Sequence, residues 1–181
     1  MLMRLELRKI KHYRSLSSKS PCFSALIFFD GKPIALAKNH GRGSLTDIVP
    51  QIGYGALFIE AEEYCKTQKP IKDEQLEINI PFTMESFANQ VISNFIHQKE
   101  IKRVLKKLDR LSTTKVITLN RHELEKFKEG KAKTLAYSTR EFTQQVSDIP
   151  RETLDSYLDA IKLGLPEGNI IYNTFIAAHG R

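Results

Sequence analysis

An Asp-Gly pair, Asp30-Gly31, stands between two apolar runs, CFSALIFF (22–29) and PIALAK (33–38), and nothing else in the sequence restricts the fold as much. A two-residue connection of this kind needs positive φ at both central positions. Aspartate tolerates that conformation and glycine adopts it freely, so the two runs are expected to pair as an antiparallel hairpin. MRLELRKI (3–10) alternates Met3, Leu5 and Leu7 on one face and reads as a further strand. QLEINI (75–80) alternates in the same way and is stopped by Pro81.

Helical periodicity takes over elsewhere. Over 54–67, Leu57, Phe58, Ala61, Tyr64 and Cys65 fall on one stripe, with Glu60, Glu62 and Glu63 off it. Thr83 is placed to cap the longest helix, which is expected to run to about Arg110. Its apolar stripe begins with Met84, Phe87, Ala88, Val91, Ile92, Phe95 and Ile96 and continues through Ile101, Val104, Leu105 and Leu108, with a break expected near His97–Gln98. TKVITL (114–119) then reads as a strand. Asn120 and Glu123 start a short helix that ends at Gly130. KTLAY (133–137) reads as a strand, Ser138 and Glu141 as the capping box of a helix over 139–146, and Pro150 as the first turn of another helix stopped by Gly164. NIIYNTFIA (169–177) reads as a closing strand. The expected fold class is α+β: an antiparallel amino-terminal sheet, a long central helix and a smaller β/α carboxy-terminal portion.

A chain of 181 residues suits one domain over 1–181, with a weak boundary near Pro70–Pro81 that would separate lobes 1–80 and 81–181. No tract approaches the ~18 uncharged apolar residues of a membrane span, so no membrane partner is expected. The start of the chain lacks the continuous apolar core of a signal peptide. Cys22 and Cys65 sit in apolar stretches with no metal-ligand spacing, and read as buried reduced thiols of a cytoplasmic protein.

Charge is where the sequence speaks of function. The net +7 is distributed in blocks: residues 1–50 hold nine Lys/Arg against three Asp/Glu, 51–100 four against eight, and 101–150 twelve against six. Two basic blocks separated by an acidic one suit a polyanion or an acidic protein face. Along the long helix, taking Lys99 as 0° and stepping 100° per residue puts Arg103, Lys106, Lys107 and Arg110 between about −20° and +80°. The apolar Ile101, Val104, Leu105 and Leu108 fall near 140° to 240°. Lys99, Lys102, Arg103, Lys106, Lys107 and Arg110 are therefore candidate contacts to nucleic acid or another partner, on the side opposite the core. The helix carries no aromatic residue among these cations, so it offers no stacking platform of its own.

A second candidate is the glycine-rich stretch Asn39-His40-Gly41-Arg42-Gly43-Ser44, in an apparent loop over 39–55. Alternating glycines let successive backbone N–H groups turn inward around an anion, and Arg42 would add positive charge. The Lys-Ser/Thr ending of a phosphate-binding P-loop is absent. His40 with Asp47 is the one pairing suited to acid–base work. The other histidines, at 12, 97, 122 and 179, are scattered and form no metal face, so neither metal nor cofactor is expected.

CFSALIFFDGKPIALAKNHGRGSLTD (22–47) resembles the opening of small proteins from bacterial and phage-type genomes, in which a DGK hairpin runs into an Asn-x-Gly-x-Gly-Gly-like loop. Ser44 stands here where the last glycine is expected, and His40 where aspartate is commoner. The resemblance implies a phage or mobile-element context and brings no activity with it. The leading expectation is a non-catalytic binding protein, such as an inhibitor or accessory factor, that engages nucleic acid or a nucleoprotein complex. The alternatives are a protein-interaction module or homodimer, with the acidic helix set against a basic face, and a phosphate- or nucleotide-handling enzyme built on the glycine loop.

Overall fold

The structure, a computed structural model, describes residues 4–73, 78–112, 114–132, 134–141 and 151–172. The chain divides into two compact units, 1–96 and 97–181.

The first unit is built on the expected hairpin. β2 (Cys22–Phe29) and β3 (Lys32–His40) pair antiparallel, with Ala25 opposite Ala37 and Phe23 opposite Asn39. Asp30 and Gly31 take φ of 47° and 78°, the left-handed conformations that a turn of this length requires. β1 (Leu5–His12) adds to the free side of β2. Its register shifts between Arg8 and Lys11, where Lys9 has φ 54°, so the strand resumes with Lys11 on the outer face and His12 on the inner one. The stretch expected to be loop as far as residue 55 is only partly so. Asn39 and His40 finish β3, and β4 (Asp47–Pro50) pairs back on it, giving a sheet ordered β1-β2-β3-β4. Four residues capped by a proline carry too little alternation to read as a strand, and an edge strand tolerates that proline.

α1 (Gly55–Lys66) covers the inner face with Ala61 and Cys65 buried, and the hairpin of β5 (Ile71–Asp73) and β6 (Ile78–Ile80) follows it. α2 (Met84–Leu111) is unbroken through His97–Gln98, contrary to the expected break. At its start the Thr83 hydroxyl accepts from the Ser86 N–H at 3.0 Å, while the Ser86 hydroxyl accepts from the Thr83 N–H at 2.8 Å. This is a reciprocal cap with serine in the usual glutamate position. The core of this unit joins Phe23, Ala25, Ile27 and Phe29 of β2, Ile34, Ala35 and Ala37 of β3, and Met84, Phe87, Ala88 and Ile92 of α2. Phe29 and Ile27 are fully buried, and each such side chain contributes about 1.5–3 kcal/mol relative to exposure.

The second unit centres on a small antiparallel sheet ordered β8-β7-β9: β7 (Lys115–Asn120), β8 (Ser138–Glu141) and β9 (Asn169–Ile171). α3 (Arg121–Lys128) begins as expected. The Asn120 side-chain oxygen accepts from the N–H groups of His122 and Glu123 at 3.0 and 3.2 Å. It ends at Gly130, φ 82°, where the Lys131 N–H reaches back to the Lys126 carbonyl. α4 (Arg151–Leu163) buries Leu158 and Ile161. Leu108 of α2, Ile117 and Leu119 of β7 and Leu124 of α3 form a core cluster, with Leu135, Tyr137, Ile170 and Tyr172 packed against it.

Two expectations fail in this unit. Residues 134–137 form no regular element, and the strand lies one step later, at Ser138–Glu141, where a helix was expected. Ser138, Thr139, Arg140 and Glu141 pair with Thr118, Ile117, Val116 and Lys115. As an edge strand β8 can be wholly polar, so its Ser-x-x-Glu spacing imitates a capping box without being one. The rest of that expected helix, 142–146, and residues 173–177 of the expected closing strand lie outside the described residues.

Candidate functional site

The glycine loop is held from inside by Asn39, whose side chain is 6% exposed. Its oxygen accepts from the Gly41 N–H at 2.8 Å and from the Ser20 hydroxyl at 2.9 Å, while its NH2 donates to the Ser44 carbonyl and the Thr46 hydroxyl. Thr46 extends the network to α2: its N–H donates to Glu85 at 2.9 Å and its hydroxyl to Asn89 at 2.6 Å. The Gly41 carbonyl accepts from the N–H groups of Ser18, Lys19 and Ser20, and the Gly43 N–H donates to the Ser20 hydroxyl at 3.1 Å.

The two glycine N–H groups that were to cradle an anion are thus both engaged within the protein. Packing explains Gly41 in full. It has φ 78°, and a Cβ there would run into the Leu16 carbonyl oxygen and lie 2.8 Å from Cys22 Cβ. Arg42, Gly43 and Ser44 are exposed beside this staple, and His40 is exposed at the end of β3. No hydrogen bond joins His40 to Asp47, which pairs across the sheet with Lys38. The loop is a polar tie between the sheet and α2.

The basic face of α2 is realised as the periodicity predicts. Lys99, Lys102, Arg103, Lys106, Lys107 and Arg110 are all exposed, whereas Ile101 and Leu108 are 5% and 0% exposed on the opposite side. Two carboxylates lie among the cations. Glu100 accepts from Arg103 Nε at 3.0 Å and also bonds its terminal nitrogen, an i,i+3 clamp that holds the guanidinium in place. Asp109 accepts from the Tyr172 hydroxyl at 3.0 Å. Burial first, and that bond second, push the Tyr172 hydroxyl up to about 12. Lys102 and Lys106 have no hydrogen-bond or ion-pair partner among the described residues.

The structure adds what the helix lacks. Tyr137, from the irregular segment before β8, places its ring under the Lys107 ammonium, 5.6 Å from nitrogen to ring centroid. Tyr137, Lys107, Arg103 and Glu100 share a groove of about 260 Å³ with Val104, Phe127, Thr134 and Leu135. Sequence reasoning missed Tyr137 because thirty residues and a turn of chain separate it from Lys107. Its only signal was an aromatic residue in a short apolar stretch.

Cys22 and Cys65 are buried free thiols, and burial, with a smaller contribution from Glu62, pushes the Cys65 thiol above its ordinary value. Among the described residues no three His, Cys, Asp or Glu side chains gather as a metal site, and no helix is long and apolar enough to cross a membrane. No protein-family model, curated protein or solved structure matches the chain.

Proposed function

We propose that this is a non-catalytic binding protein that engages nucleic acid, alone or within a nucleoprotein complex, through the basic face of α2. The observation that supports this reading is the segregation of six exposed cations onto one side of the helix, away from its buried residues. Lysine and arginine side chains arrayed along a helix neutralise successive phosphates and release condensed counterions, which supplies affinity without any reading of base sequence. The glycine loop, with both glycine N–H groups engaged internally, lends nothing to the enzyme alternative.

Lys102 and Lys106 make the cleanest test, because their exposed ammonium groups tie down no other described residue. Lys102→Glu/Lys106→Glu should fold with an unchanged melting temperature and bind a labelled oligonucleotide at least tenfold more weakly at 50 mM salt. Unchanged affinity in fluorescence anisotropy would remove α2 as the contact surface.

A further inference from the structure

The groove beside Lys107 has a chemistry that the phosphate contacts do not use, and it deepens the proposed function rather than departing from it. We infer that this groove seats one unstacked base of a single-stranded nucleic acid against Tyr137, with Arg103 and Lys107 holding the adjoining phosphates, so that the protein prefers single strands to duplex. The inference rests on the basic-face reading and is narrower than it.

Three features of the groove point to that occupant. Its walls are mixed in the way a nucleotide requires: an aromatic ring and aliphatic Val104 and Leu135 for the base, two cations for the backbone. At about 260 Å³ it lies just below the ~300–1,000 Å³ of sites for drug-sized ligands, a size for a single base and not a run of them. The Tyr137 ring is half-buried, lines the groove, and has the Lys107 ammonium over it at 5.6 Å. A lysine chain is long and flexible. When a base slides onto the ring, the ring keeps a π-partner and the ammonium swings to the phosphate.

Duplex bases are stacked on one another and cannot enter such a groove, whereas an unpaired base has a free face whatever its identity. Stacking on Tyr137 and charge on Arg103 and Lys107 act on ribose and deoxyribose strands alike, so both strand types should bind. Glu100, which also lines the groove, acts as a brake: it occupies Arg103 and repels phosphate. Among acidic ligands, a glutamate- or aspartate-rich peptide would satisfy the cations but leave the ring and aliphatic wall unused.

The test uses the full chain and four labelled probes at 50 mM salt: oligo-dT, oligo-U, an abasic strand of equal length, and a duplex. The expected order is oligo-dT and oligo-U together, then the abasic strand and the duplex about tenfold weaker. Tyr137→Leu should bring oligo-dT down to the abasic level and leave abasic binding as it was, while Tyr137→Phe restores the parent value. Glu100→Gln should tighten oligo-dT several-fold, a gain that misfolding cannot mimic. Equal binding of all four probes, with Tyr137→Leu indifferent, overturns the base site and leaves the basic face standing. A poly-glutamate peptide that displaces labelled oligo-dT as well as unlabelled oligo-dT does would also overturn it. Failure of every probe to bind removes the base site and the proposed function together.

Discussion

At the scale of single residues, the side chain that decides most in the first unit is Asn39. It satisfies a glycine N–H, a serine hydroxyl, a carbonyl and a threonine hydroxyl in a place water does not reach freely. Asn39→Ala leaves these groups without their partner, and each unmade bond to a buried group costs ~1–3 kcal/mol. A loss of about 2–4 kcal/mol in chemical denaturation is expected, with the α2 basic face still binding, because Asn39 ties the loop to the sheet and contacts none of the α2 cations. Arg4 works differently, on the surface. Its guanidinium forks onto Asp30 at 3.1 and 2.7 Å, reaches Glu60 at 2.7 Å, and lies 4.4 Å from the Phe29 ring centroid. This ties the start of β1 to the hairpin turn and to α1.

The hydrogen bonds from Arg4, more than its charge, hold the Asp30 carboxyl below its ordinary value. A carboxyl lowered by folding adds stability above its unfolded pKa, about 3.9, and that contribution is lost as pH falls through the folded value. Asp30→Asn should therefore be less stable than the parent near neutrality. The difference should close below about pH 4, as thermal melts across pH 2–7 will show. A gap that stays constant over that range would mean that the pair contributes nothing through its charge.

At the scale of elements, what the sequence disclosed followed the strength of its local chemistry. The β2–β3 hairpin was legible because Asp30-Gly31 admits few other conformations, and α3 because Asn120 and Gly130 mark its two ends. Asn120→Ala tests the first of these marks. It removes two bonds to helix N–H groups and the contact with Asn169 at 3.3 Å, and should cost ~1–2 kcal/mol of stability without affecting binding. The edge strands were the opposite case. β4 and β8 are held by pairing with β3 and β7, so their own residues need little apolar alternation. The basic face could be read because charge and apolar positions in α2 share one period. The groove could not, since Tyr137 reaches Lys107 only through the turn after α3 and the packing of Leu135 and Tyr137 on the second core.

At the scale of the whole molecule, the +7 charge would mean little if it were spread evenly, since solubility alone asks for some net charge. Its uneven distribution matters more: the second basic block opens on the α2 face, with cations on the outside and buried Ile101 and Leu108 beneath. Each compact unit carries its own apolar cluster, and among the described residues no charged side chain is buried. The most direct measurement is the affinity of the full chain for a labelled oligonucleotide between 50 and 300 mM salt. The slope of log K against log salt should be steep, about −0.9 on duplex and −0.7 on single strands for each phosphate neutralised, and shallower by roughly two such steps in Lys102→Glu/Lys106→Glu. A flat salt dependence, or equal slopes for parent and variant, would contradict the claim that α2 is a phosphate-binding surface.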